Sequence, residues 1–334
     1  MDKADFAEQI ISAIDGEEWE LLDSGGPDSP VQGFYRDTLL ELMDPYRFFD
    51  GDMSEENSWD LFNTLQMHLE ETQPEKRAIH KYIIYAYMIR TYLDSLPMHP
   101  PEKVKYYTKA RNGRAEYFCP KKDDSAVCSF CVARDCAPLY REWEREIAQT
   151  AEKYGEKAAS IRKCILESGF TQVGIIKTKD LHFYEEVRKY CVENACHHFN
   201  TTWACPPAVG TVEECRERTL GFDYLHLFSK SFYLPDAVDW DSMKPAVTEF
   251  KKIVDELNSR LKPRQNGMMI LSNDSCSLCK TCTYPDAPCR IPDKLHHSIE
   301  GYGFYVSELS KQAGVSYFSG SGIINLFGAV LHNG

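Results

Sequence analysis

The apolar positions of the first 118 residues fall mostly at helical spacing. Phe6, Ile10, Ile11 and Ile14 recur on one face and stop at Gly16. A Gly/Pro/Ser stretch at Ser24–Pro30 reads as a loop. Leu61, Leu65 and Leu69, then Ile79, Tyr82, Ile83, Tyr85, Ala86 and Ile89, line a second helical region from about Ser58 to Leu96. Pro74 is expected to divide it into two helices. Such stripes are core faces before they are cofactor boxes. A long helix is expected from about Pro138 to Ser168, closed by Gly169. The pattern then changes. Val173–Ile176, Leu225–Phe228, Met268–Leu271 and Ile323–Leu331 are short apolar runs of strand type. A helix over 245–261 has Pro245 near its start and Val247, Phe250, Val254, Leu257 and Leu261 on one face. Another is expected near Ser298–Ala313, ending at Gly314.

The alternation of strands and helices predicts an α+β (α/β-like) architecture. A mainly helical domain occupies 1–118, a cysteine group and connecting helix 119–157, and an α/β sandwich domain with cysteine-rich loops 158–334. There is no internal repeat at a solenoid period.

Charge sharpens the division. Residues 1–60 hold 17 Asp plus Glu against 3 Lys plus Arg, while the whole chain has 51 against 38. The net charge of −13 therefore belongs to the N-terminal segment. A solvated acidic face and a docking surface for a basic partner both fit it. No basic stripe favours nucleic acid. The longest apolar stretch, Ile323–Leu331, is far too short to cross a bilayer. The opening Met1-Asp2-Lys3-Ala4-Asp5 lacks a signal-peptide pattern, so a cytoplasmic location is expected. In that compartment thiols stay reduced, and 13 cysteines point to metal sites over disulfides.

The cysteines fall into three groups. Cys276, Cys279, Cys282 and Cys289 form C-x2-C-x2-C-x6-C. Two-residue gaps turn successive thiolates toward one centre, as a cubane [4Fe–4S] cluster requires. A zinc site usually pairs two C-x2-C units across a longer loop, so this run favours iron–sulfur. Bacterial ferredoxins place the fourth cysteine after a three-residue gap and before proline, whereas here the gap is six and Arg290 follows. The second group is Cys191, Cys196 and Cys205, with Cys215 after a further nine residues and with Pro206 and Pro207 after Cys205. Cys215 begins a helix and fits either a fourth ligand or a buried thiol. In the latter case one iron is left without a cysteine, open to substrate or water. His197 and His198 adjoin Cys196 and are alternative ligands. The third group, Cys119, Cys128, Cys131 and Cys136, suits zinc and iron–sulfur equally, since it has one C-x2-C unit and two outliers. Cys164, beside Ile161 and Ile165, reads as core.

The C-terminal half, from about 158 to 334, resembles the uncharacterised prokaryotic "predicted metal-binding protein" family. The resemblance rests on Trp203-Ala204-Cys205-Pro206-Pro207-Ala208-Val209 preceded by Cys191 and Cys196. It continues through Cys276, Cys279, Cys282 and Cys289 to Ser298-Ile299-Glu300-Gly301-Tyr302-Gly303. It implies one metal group on Cys191, Cys196 and Cys205 and another on Cys276 to Cys289. Cys215 matches no family position, and the first 150 residues fall outside the resemblance.

Other catalytic motifs are missing. There is no G-x-x-x-x-G-K-[ST] loop, G-x-S-x-G elbow or H-E-x-x-H helix, and Gly320-Ser321-Gly322 reads as a turn. No radical-SAM-type C-x3-C-x2-C run occurs either. Any catalysis must come from the metal centres or a partner. Three expectations follow. The first is an iron–sulfur redox protein of an anaerobic lifestyle, exchanging electrons with a redox partner or small-molecule substrate. The second is an enzyme binding substrate at an open iron. The third is a zinc-bound interaction scaffold without catalysis.

Overall fold

The computed structural model describes residues 2–14, 16–23, 33–44, 67, 74–99, 103–111, 114–123, 128–129, 131–194, 196–233, 240–319 and 323–334. The loop at Ser24–Pro30, the leucine stripe at 61, 65 and 69, and the turn at Gly320-Ser321-Gly322 lie outside the described residues. The chain forms two compact units, Met1–Tyr106 with Tyr117–Cys136, and Tyr107–Glu116 with Ala137–Gly334.

The first unit is helical in its N-terminal part. Helix α1 (Lys3–Ala13) starts where the Asp2 side chain accepts the Ala4 N–H at 2.7 Å. It is followed by α2 (Gly16–Asp23), α3 (Phe34–Leu40) and α4 (Pro74–Met88). Pro74 stands at the first position of α4, where its missing N–H has no helical partner to lose. A π-helical turn, Ile89–Leu93, continues α4. Phe6, Ile10, Ile14, Leu22, Leu39, Tyr82, Tyr85, Ala86 and Ile89 are buried in the core, Ile11 and Ile83 pack partly against it, and Ile79 of the predicted stripe is exposed. The helical expectation for 1–118 fails at its end. Residues Tyr107–Arg111 and Arg114–Cys119 are strands β1 and β2, in a stretch rich in aromatics and with no apolar stripe of helical period. In the first unit, β2 pairs in parallel with β3 (Arg134–Asp135) through Phe118↔Arg134 and Cys119↔Asp135.

In the second unit the expected long helix is two, α5 (Ala137–Tyr154) and α6 (Glu156–Glu167). Gly155 breaks it, at a φ of 91° that a helix cannot contain. Next come β4 (Gln172–Lys177), α7 (Val187–Glu193), α8 (Val212–Leu220) and β5 (Tyr224–Tyr233). The chain continues with α9 (Trp240–Leu261), β6 (Met269–Ser272), β7 (His297–Ser298), α10 (Val306–Ala313) and β8 (Ile323–His332). Helix α9 begins before the expected position, so Pro245 lies inside it. The helix expected over 298–313 is shorter. Its first residues form β7 and a 3-10 turn, and Gly303, at φ 83°, separates them from α10.

The five-stranded sheet has the order β4-β5-β8-β6-β7. All neighbours are antiparallel except β6 and β7. Helices cover both faces. On one, Leu225, Leu227, Leu271, Ala329 and Leu331 meet Tyr302, Leu309 and the α8 thiol Cys215. On the other, Phe228 packs against Phe170 and Phe250, with ring centroids 4.3 and 6.4 Å away. Residues Leu225–Ser231 of the inner strand β5 are therefore buried on both sides. The fold is α+β, with an α/β-like layered second unit. Two loops carry most of the grouped cysteines of this unit, residues 194–211 between α7 and α8 and residues 273–296 between β6 and β7.

Candidate metal centre

The loop after β6 is held by its own hydrogen bonds. The Ala287 N–H donates to Thr283 O at 2.9 Å, Thr283 Oγ1 to Pro288 O at 2.9 Å and the Arg290 guanidinium to Thr281 O at 2.8 Å. The consequence is a small cavity with Cys276, Cys279, Cys282 and Cys289 all in its wall. The remaining wall is mostly apolar, from Trp203, Leu278, Ile291 and Leu295, and contains no carboxylate or histidine. All four cysteines are half-buried. Burial pushes the Cys276 thiol up, the Leu278 N–H pulls it back, and the neighbouring Cys289 and Cys279 raise it again. A bound cation reverses that mutual repulsion, because metal binding deprotonates thiols.

The second group sits on the other loop. Cys191 lies in α7, which ends at Asn194 in the left-handed conformation, where the Asn194 side chain accepts the Phe199 N–H at 2.9 Å. His197 and Asn200 are also left-handed, at φ 59° and 56°, so the chain between Cys191 and Cys205 folds tightly. Burial raises the Cys191 thiol, and Cys205, Glu300 and Cys196 add to the rise against Arg188. Those influences put the three cysteines in one neighbourhood. Cys196 is exposed and Cys205 buried. Burial raises Cys205, while hydroxyls of Ser275, Thr202 and Ser298 hydrogen-bond to it and lower it.

Cys215 is placed elsewhere. Its thiol donates to Val209 O at 3.4 Å and accepts from the Arg218 guanidinium at 3.1 Å and from Arg188 at 3.6 Å. Burial raises its pKa and the two arginines lower it, and no cysteine contributes. His198 faces Asp274 at 3.5 Å, and Lys251 holds the same carboxylate at 3.2 Å. His197 is exposed.

The two loops are stitched together. Thr202 Oγ1 lies 3.0 Å from Ser275 Oγ, and the Ser298 N–H donates to Ala204 O at 3.0 Å. The Trp203 indole N–H donates to Ala287 O at 3.1 Å and its ring meets Tyr284 edge-on at 4.9 Å. Tyr284 OH in turn donates to Asn200 Oδ1 at 3.1 Å. The groups carrying Cys205 and Cys276 therefore adjoin. The cysteine spacing does not reveal Trp203, Thr202, Ser275 and Asp274 as parts of the site. Their signal in the sequence is that each stands within three residues of a grouped cysteine, and Trp203 also begins the Trp203–Val209 motif.

In the first unit, Cys119, at the end of β2, is raised by burial and by the charges of Cys131 and Cys128. The Cys131 N–H donates to Cys128 O at 3.3 Å, closing the C-x2-C turn, and Cys131 Sγ accepts the Met98 N–H at 3.4 Å. Cys136 is buried just after β3. Cys164 is half-buried in α6. Among the described residues, no three His, Cys, Asp or Glu side chains converge as a single ion requires.

The layered α+β unit brings Cys276, Cys279, Cys282 and Cys289 into the wall of one mostly apolar cavity. Residues 174–332, just under half of the chain, match the model of the family described as "Predicted metal-binding protein (DUF2284)". The match runs from β4 to the end of β8 and includes Cys191–Cys215 and Cys276–Cys289, but not Cys119–Cys136. No curated protein and no solved structure matches the chain. No helix among the described residues is long and apolar enough to cross a membrane.

Proposed function

We propose that this chain is an iron–sulfur redox protein of the reducing cytoplasm. Cys276, Cys279, Cys282 and Cys289 hold one [4Fe–4S] cluster, and Cys191, Cys196 and Cys205 hold a second. Electrons pass to a redox partner protein or a small-molecule substrate. The observation that carries this reading is the single cavity walled by four cysteines and apolar side chains. The chemistry such a group supplies is reversible one-electron storage at a potential set by hydrogen bonds and solvent exposure. The chain provides the thiolates, the Leu278 N–H toward Cys276, and a mostly apolar wall. A zinc ion, with Zn–S bonds of about 2.3 Å, draws its sulfurs to a point. The closely spaced Cys276, Cys279 and Cys282 with Cys289 after them favour the cluster, since zinc usually pairs two C-x2-C units across a longer loop. The stitched loops keep the two groups close, as electron exchange between them needs. Cys119, Cys128, Cys131 and Cys136 form a further metal group, for zinc or a third cluster. The test is the iron, zinc and acid-labile sulfide content of anaerobically isolated protein.

One observation favours a second reading, in which the Cys191 group is catalytic. Cys215, the nearest candidate for a fourth cysteine, is engaged by Arg188, Arg218 and the Val209 carbonyl. Three cysteines leave one iron position for substrate. Cyanide or azide added to the reduced protein is then expected to alter one EPR signal and leave the other. Unaltered signals would make both clusters closed electron carriers.

A further inference from the structure

Trp203 belongs to neither cysteine group, yet it touches the surroundings of both. Its ring forms part of the wall of the cavity holding Cys276, Cys279, Cys282 and Cys289. Its indole N–H is fixed on Ala287 O at 3.1 Å, within the same loop, and its edge-on contact with Tyr284 is at 4.9 Å. Its chain neighbours are fixed independently. Thr202 bonds Ser275 at 3.0 Å, and Ala204 O accepts the Ser298 N–H at 3.0 Å. Cys205, two residues on, faces the hydroxyls of Thr202, Ser275 and Ser298. The indole is thus held at its own N–H and at both flanking residues, and it remains only half-buried.

We infer that Trp203 is a positioning residue that shuts the four-cysteine cavity against solvent and joins it to the Cys205 group. The inference rests on the metal-site reading above, but it does not depend on which metal is bound. An aromatic ring suits the task for two reasons. Its face excludes water over a large area, and its N–H offers a single directional anchor to the loop it covers. Neighbouring groups of this kind, which orient ligands without binding metal, typically change metal affinity by about 10–100-fold when removed.

The experiment is thiol alkylation by iodoacetamide in the full chain as isolated, mapped cysteine by cysteine with mass spectrometry. Wild type, Trp203→Phe and Trp203→Ala are compared, and iron, zinc and sulfide are assayed on the same samples. In Trp203→Ala, Cys276, Cys279, Cys282 and Cys289 are expected to label about tenfold faster. Cys215, which is fully buried in the sheet core, is expected to keep its wild-type rate and so reports on general loosening. Trp203→Phe keeps the aromatic wall and loses only the N–H, so its rates are expected to lie near wild type. Wild-type labelling of the four cysteines in Trp203→Ala would overturn the inference. So would labelling of Cys215 that rises in parallel with theirs. The metal assay reports separately on the cluster reading, because zinc without sulfide would refute that reading and leave the labelling contrast meaningful.

Discussion

Serine at position 279 is expected to remove one whole cluster, about four irons and four sulfides per chain, and to leave the fold intact. Cys279 is the middle cysteine of the closely spaced run and stands in the same cavity wall as the other three. A serine hydroxyl is far more basic than a thiol and does not replace thiolate on iron at neutral pH, so the site loses a corner ligand. The loop's cysteines lie outside the buried apolar cluster around Leu225, Leu227, Leu271 and Tyr302, so the core packing is expected to survive the substitution. Circular dichroism should therefore match wild type while iron and sulfide fall together. Cys164→Ser is the control, because Cys164 lies in α6 outside all three groups, and its iron content should be unchanged. An unchanged iron content in Cys279→Ser would remove that cysteine from the site.

Alanine at Gly174 is expected to destabilise the second unit severely, by about 3 kcal/mol, at the upper end for overpacking a core. Gly174 lies within β4, opposite Leu227 of β5, and the end of α10 rests directly on it. A Cβ there would stand 2.0 Å from the carbonyl oxygen of Ala313 and 2.7 Å from its Cβ. Both belong to a packed helix end that cannot swing aside as a long side chain would. For a unit of this size the loss corresponds to a fall in Tm of roughly 6–12 °C. Gly314→Ala offers a contrast. Its φ of 68° is strained for alanine, but no atom lies within 4 Å of the new Cβ, so only about 1–2 kcal/mol is expected. Thermal melts of the two variants compare these effects directly. A Gly174→Ala melt within the wild-type error would contradict the packing.

Strong local signals were the legible ones. The apolar runs at Val173–Ile176, Leu225–Phe228, Met268–Leu271 and Ile323–Leu331 lie in or overlap four strands of the sheet, because strands covered by helices on both faces read as continuous hydrophobic stretches. The turn at Gly155 was hidden because the apolar spacing on its two sides is compatible with one helix. Only the backbone angle reveals the break. The short β7 and the 3-10 turn before α10 were hidden for another reason. Their conformation is set by long-range partners such as Ala204 O and the Ser272 carbonyl, which no local pattern encodes. At the site, the C-x2-C-x2-C run made the cysteines visible, since the spacing itself turns thiolates inward. Trp203 was visible only as part of a motif. Its place in the cavity wall depends on a loop about 80 residues further along the chain.

The central claim is that these cysteines hold iron–sulfur clusters. Its most direct test is the iron, zinc and acid-labile sulfide content per chain after strictly anaerobic purification. About eight irons with equal sulfide are predicted for the two C-terminal groups, rising to about twelve if Cys119–Cys136 holds a third cluster. Roughly one to three zincs with no sulfide would contradict the claim and make this a zinc-bound structural protein.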